Sequence, residues 1–281
     1  MFEVIQFADY GVPQRRKRLI TVYSKNKRLK DHLRNFGNLF PRSTHSKKGD
    51  KLKTSWVTVR DAIGKLEELD SKNQKLSVGK TNKYHKVPVL DKKKYFWVSN
   101  TPQEKGAFDN QCVKCDYNQN KTHIARRNSE GINRPSEKTN IFCDNCGSLL
   151  PRPHVFEKGE YRLMRGFTSA YRRMKWDEPS TTLTTNFSYV SSDNKIHPEQ
   201  NRVLSIYEAF KLHTLDRYDF MWEISKGVPA SDTLIKEIIG ESVPPFGLEI
   251  IINHLIEIYN GSVTTLKTKS PKVSKIQSLF D

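Results

Sequence analysis

Apolar and polar positions in this chain repeat with two different periods, and the periods mark out its elements. Gln14, Arg16 and Arg18 occupy alternate positions, which in an extended segment puts their side chains on one face. The apolar run Leu19 to Val22 continues them as a buried strand. Val59, Ile63, Leu66 and Leu69 fall at helical spacing and predict a short amphipathic helix from Val57 to Leu69. Tyr95 to Val98 reads as a strand, Thr181 to Thr185 as a short β-branched strand, and Ser191 to Asn194 as a turn. Ser205 and Glu208 have capping-box spacing, the serine accepting from the first-turn amides and the glutamate reaching back, so a helix opens there and runs through Leu212.

A last helix is predicted from Leu248 to Tyr259. Its polar positions, Glu249, Asn253, His254 and Glu257, form one narrow stripe, and nearly all others are apolar. So wide an apolar surface requires burial on more than one side, in a core or against another chain. Ser242 is the candidate cap, and Pro244 and Pro245 suit a first turn where an amide proton is not needed. The stretch from Asp70 to Lys94 is polar and lysine-rich, and Ser262 to Asp281 has little apolar periodicity and reads as a mobile basic tail.

Charge adds a partner to this picture. The 281 residues carry 48 Lys and Arg against 31 Asp and Glu, a formal charge of +17. Eight of those cations lie between Arg15 and Lys30 with no acid among them, and a second basic stretch from Arg42 to Lys53 is broken only by Asp50. Clusters of this kind, spaced by small polar residues, fit backbone-phosphate contacts and point to nucleic acid. A membrane is disfavoured, because no segment is long and uniformly apolar enough to span one. The N-terminus lacks a signal-peptide core, so a cytoplasmic, nucleoid-associated protein is expected.

All four cysteines fall into two pairs, Cys112-x-x-Cys115 and Cys143-x-x-Cys146. Two such knuckles predict a structural four-thiolate Zn2+ site, closed to substrate because thiolates fill the coordination shell. The 27 residues between the pairs leave room for a projecting loop, whose Arg126, Arg127 and Arg134 are candidate DNA contacts. Gly147 stands where a knuckle turn needs positive φ, and His123 reads as a loop residue, not a ligand. With the thiols committed to metal, none remains as a nucleophile, and the 14 scattered glycines form no cofactor loop. The chain therefore looks catalytically incomplete.

Three segments resolve that incompleteness. Pro13-Gln-Arg-Arg-Lys-Arg18, Arg202-Val-Leu-Ser-Ile-Tyr-Glu-Ala209 and Gly240-Glu-Ser-Val-Pro-Pro245 resemble, in order, the last three motifs of the DNA cytosine-5 methyltransferases. The resemblance covers both ends of the chain, and the middle corresponds to the family's variable target-recognition region. It implies an enzyme that flips cytosine out of double-stranded DNA, attacks it with a cysteine and methylates it from S-adenosyl-L-methionine. The family's cofactor loop, Pro-Cys nucleophile loop and glutamate motif precede the Gln-x-Arg-x-Arg segment, and this chain opens just before that segment. The resemblance thus implies the C-terminal subunit of a split enzyme of a restriction–modification system. The partner, an N-terminal methyltransferase subunit, would supply the nucleophile and most of the cofactor site.

By the same resemblance Arg18 and Arg16 are the catalytic arginines, Arg18 holding the flipped base and Arg16 standing near the catalytic loop, with Gln14 as structural partner. Arg202 and Glu208 organise the base of the recognition domain, and Gly240, Ser242 and Val243 close one side of the cofactor pocket. Glu241 departs from the asparagine common at its position. The implied fold class is α/β: the completing part of a doubly wound methyltransferase fold with an inserted zinc-containing recognition domain. Its expected segments are 1–69 (catalytic domain and connector), 70–230 (recognition domain), 231–261 (helices returning to the catalytic domain) and 262–281 (tail). Two other readings stay open: a stand-alone zinc-ribbon DNA-binding protein, and an inactive remnant of a longer methyltransferase.

Overall fold

The computed structural model describes residues 1–122, 139–164 and 169–262, with the backbone of 126–127 and 133–134. The predicted basic tail and the side chains of Arg126, Arg127 and Arg134, like His123, lie outside the described residues.

Strand β1 (Phe2–Gln6) pairs antiparallel with β3 (Lys17–Thr21), joined through a 3-10 turn and the short β2 (Gln14–Arg15). Successive side chains alternate faces. Ile5 is therefore 2% exposed, whereas Val4 and its cross-strand partner Leu19 are each 61% exposed. Leu19 does not form part of a buried strand as its sequence suggests; its side of the hairpin is open among the described residues, and Phe2 shares it. The other face packs on helix α6 (Pro245–Asn260) through Ile5, Phe7, Val12 and Ile251. Gly247 permits that approach: a Cβ there would lie 2.2 Å from the ring of Phe7.

Helix α1 (Lys27–Phe36) is capped by Asn26 and packs beside α6. Strands β4 (His45–Ser46) and β5 (Thr54–Ser55) form a small parallel pair. Helix α2 covers only Val59–Ile63, shorter than predicted, because Gly64 ends it; Leu66 and Leu69 pack from the irregular chain beyond. The Tyr95–Val98 run is not a strand but part of helix α3 (Lys92–Ser99). Four apolar residues cannot distinguish the two by period; the Asp91 carboxylate, accepting from the Lys94 amide at 2.8 Å, makes the choice.

Strands β6 (Arg126–Arg127) and β7 (Asn133–Arg134) pair antiparallel between the cysteine pairs, and β8 (His154–Glu157) with β9 (Glu160–Leu163) forms a hairpin after them. Of the predicted Thr181–Thr185 strand only β10 (Ser180–Thr181) forms, parallel to β2, since the chain turns at Thr184–Phe187. A turn follows at 191–194, with Asn194 at φ +44°. Helix α4 (Ile206–Leu212) begins at the Ser205–Glu208 capping box. Strands β11 (Glu223–Ser225) and β12 (Val228–Pro229) form a hairpin before helix α5 (Asp232–Glu241). Ser242 is the C-cap of α5, not the cap of the last helix: α6 starts behind Pro244, whose ring fixes φ without a side-chain bond.

The largest core cluster gathers Val59, Ile63, Leu183, Leu204, Leu212 and Ile239 around α4. A second surrounds Trp97, Phe108, Tyr171 and Ile196. Every sheet among the described residues has two strands, so the architecture is mixed α/β. On α6, Ile251 and Ile258 are buried while Ile252, Ile256 and Tyr259 stand about half exposed.

Candidate functional site

The alternation of Gln14, Arg16 and Arg18 has unequal results. Gln14 and Arg16 are fully buried, and Arg18 stays half-buried on β3. Arg16 donates to the Leu183 carbonyl at 2.8 Å and to that of Gly240 at 2.7 Å, while its Nε has no partner. Burial, and then the charge of Arg18, pull its guanidinium down to about 10, so it remains a cation at neutral pH. Arg18 donates to the Lys17 carbonyl at 2.9 Å. Its fork is otherwise turned to solvent and can meet an acceptor edge or an anion from outside.

Gln14 is held at both ends of its amide. Oε1 accepts from the Leu183 N–H at 3.0 Å, and Nε2 donates to the Leu212 carbonyl at 3.3 Å and to His213 Nδ1 at 3.1 Å. His213 Nε2 then lies 2.9 Å from Ser242 Oγ. Nothing in the sequence singled out His213 or Leu183, because neither has partners at a regular spacing; only the fold brings segments 14–16, 183–185, 212–213 and 240–242 together.

Gly240 meets the backbone of that bundle. A Cβ on it would lie 2.3 Å from the Thr185 nitrogen, so any other residue would push α5 away from the 184–185 loop. Ser242 and Val243 line an open, mainly apolar hollow of about 370 Å³ with Leu215, Phe220, Met221 and Trp222. Glu241 is exposed.

Arg202 and Glu208 form a buried, bidentate pair at 2.7 and 2.8 Å. Burial alone would raise the Glu208 carboxyl; Arg202 and the Ser205 amide override it and hold the acid well below the usual carboxylate range. Arg202 also donates to Gln200 Oε1 at 2.7 Å, and the His85 ring bonds Ser205 Oγ at 3.0 Å. The pair locks the start of α4 against the preceding loop.

The four cysteine sulfurs lie within 4.8 Å of one another, three of their separations being 3.6, 3.6 and 3.7 Å. A disulfide would need about 2.05 Å. Sulfurs at tetrahedral corners around a zinc ion, with bonds of about 2.3 Å, sit about 3.8 Å apart. The set therefore fits a metal ion. Gly147 adopts φ +67° in the second knuckle, and its N–H bonds the Cys143 carbonyl at 2.9 Å. Ser148 holds the Cys146 thiol down to about 6, favouring the thiolate that a metal takes, whereas burial pushes Cys112 up to about 11.

The family profile described as C-5 cytosine-specific DNA methylase matches residues 1–257. The chain is 28% identical over 270 residues to the type II methyltransferase M1.HgaI of Avibacterium volantium, covering 92% of this chain and 55% of that protein. It is 26% identical over 246 residues to the type II methylase M.HgiDII of Herpetosiphon aurantiacus, covering 86% and 51%. The chain thus spans about half the length of the curated relatives it matches.

Proposed function

Because the chain belongs to the C-5 cytosine-specific DNA methylase family, we propose that it supplies the arginine and target-recognition side of a DNA cytosine-5 methyltransferase. A complementary N-terminal methyltransferase chain supplies the cysteine nucleophile and most of the S-adenosylmethionine site. The observation that carries this reading is the Arg16–Gly240 tie. It joins the strand bearing Arg18 to the turn bearing Ser242 and Val243, so a base-holding group and a cofactor wall share one rigid body.

Arg18 reaches outward from that body to the cytosine, and its guanidinium stabilises charge on the ring as the partner's thiolate adds. Arg16 stays buried and sets the strand. S-Adenosylmethionine supplies the methyl group; Ser242 and Val243 form one wall of its site, beside the apolar hollow. The four thiolates hold Zn2+ and fix the base of the loop carrying Arg126, Arg127 and Arg134, which reads DNA. The +17 charge supports a DNA partner.

Two features support a complementary body. In doubly wound folds helices cover both faces of the sheet; here the Phe2, Val4 and Leu19 face is open, as are Ile252 and Ile256 on α6. All four cysteines of the chain belong to the metal cluster, so the nucleophile comes from elsewhere.

The test is methyl transfer from labelled S-adenosylmethionine to mixed-sequence duplex DNA. Activity is expected only when this chain is mixed with a methyltransferase chain carrying the Pro-Cys loop. Turnover by this chain alone overturns the division of labour. DNA binding with no turnover in either case would favour a DNA-binding module.

A further inference from the structure

We infer that His213 is the positioning residue that keeps the arginine strand in register with the 240–243 turn, so that the base-holding and cofactor-holding sides meet correctly. The inference rests on the functional reading above.

The orientation of the Gln14 amide is not free. Its Oε1 is occupied by the Leu183 N–H and its Nε2 by the Leu212 carbonyl, so the group facing His213 Nδ1 is a donor. Nδ1 must therefore accept, the ring proton must sit on Nε2, and Nε2 donates to Ser242 Oγ at 2.9 Å. The serine hydroxyl is left to donate to the Ile239 carbonyl, 3.4 Å away. One directed chain of hydrogen bonds thus runs from β2 through the ring to the end of α5.

The ring is well suited to this task. His213 is fully buried, and protonation would set an N–H against the donor amide of Gln14. Burial, with Arg16 and Arg18 nearby, pushes it down to about 3, so it stays neutral. A histidine that merely fills a core bonds its own neighbourhood. This one bridges two side chains 199 and 29 positions away, from segments with no backbone ladder between them. Arg16 makes a second tie between strand and turn, through the Gly240 carbonyl. Arg16 fixes the distance between the two segments, and His213 fixes the rotation of the turn, because its bond ends on the Ser242 side chain next to Val243.

Two measurements test the inference. In the first, amide hydrogen exchange is followed on the full chain with His213→Asn, which keeps an acceptor near Nδ1 and removes the bond to Ser242. Protection should fall in 239–247 and stay unchanged in α1 and the cysteine knuckles. Unchanged protection at 239–247 overturns the inference, whatever the activity. In the second, His213→Asn, Ser242→Ala and the double variant are assayed with the complementary chain. Each single change should raise KM for S-adenosylmethionine roughly five- to tenfold, the value of one buried hydrogen bond, with DNA affinity unchanged. The double should equal the singles, since both remove one bond. Additive effects, or equal losses in DNA binding, overturn it. Should His213→Asn fail to fold, Ser242→Ala alone must reproduce the KM rise, and normal KM overturns the inference. If the unsubstituted pair shows no methyl transfer, the functional reading fails, and hydrogen exchange still decides whether His213 holds the register.

Discussion

Arg16 and Arg18 stand two positions apart, Arg16 between β2 and β3 and Arg18 on β3, yet one is fully buried between two carbonyls and the other keeps its fork toward solvent. That difference assigns them different tasks. Arg18→Ala should lower methyl transfer by about 10²–10³-fold, as loss of an electrostatic stabiliser does, while duplex DNA affinity falls less than threefold. Equal losses in both would remove Arg18 from the chemistry. The buried histidines give a pH prediction. Burial, reinforced by Arg202 at His197 and by Arg16 at His213, pushes both down to about 3 from the ordinary 6.5. The unfolded chain therefore binds more protons between those values. Stability is fully present above pH 6.5 and falls as the pH drops toward 3, by about 1.4 kcal/mol per pH unit for each histidine. Urea melts from pH 7 to 5 measure the slope, to which His32, His45, His154 and His254, also pulled down by burial, contribute, and His213→Asn should lower it by one histidine's share.

Among the elements, α4 and its entry loop depend on a pair of charges removed from water. Glu208→Gln leaves Arg202 buried and uncompensated and should cost about 3–5 kcal/mol, whereas Arg202→Met combined with Glu208→Leu should cost far less. Denaturant midpoints compare the two, and equal destabilisation would mean that the packing matters and the charges do not. The cysteine knuckles, read as a zinc site, should depend instead on the metal they would hold. One zinc per chain is expected by elemental analysis, and its removal by chelator should release exchange protection around residues 110–122 and 139–152 while α4 keeps its own, since the two sit in separate clusters. The elements also show where pattern alone falls short. The capping box at Ser205 was legible because it needs only two residues three apart. Tyr95–Val98 was misread because its helix depends on Asp91, outside the apolar run. Ser242 was read as a cap from its place before two prolines, but the end of α5 and the ring of His213 hold it.

At the scale of the whole molecule, the described residues present a two-stranded hairpin covered by α6 on one face and open on the other. Such a hairpin is at best marginal by itself, and its exposed apolar face is where the proposed complementary chain would dock. Val4→Lys with Leu19→Glu, an opposite-charge cross-strand pair, should leave the thermal midpoint within about 2 °C. It should weaken assembly with the complementary chain at least tenfold by sedimentation or titration. Unaltered assembly would place the interface elsewhere. Sequence by itself determined the features written in residue identity at short range. These are the two thiolate pairs, the three ordered motifs with the family they belong to, the capping box, the basic charge and an over-apolar last helix. Tertiary structure decided which members of those patterns face inward. It buried Gln14 and Arg16 and left Arg18 half-open, and it put Gly240 against Thr185. It also brought His213, which no spacing marked, between the strand and the turn. The physical reason is range: caps and knuckles are satisfied within a few residues, while a buried donor can be matched with an acceptor 199 positions away only after the chain has folded.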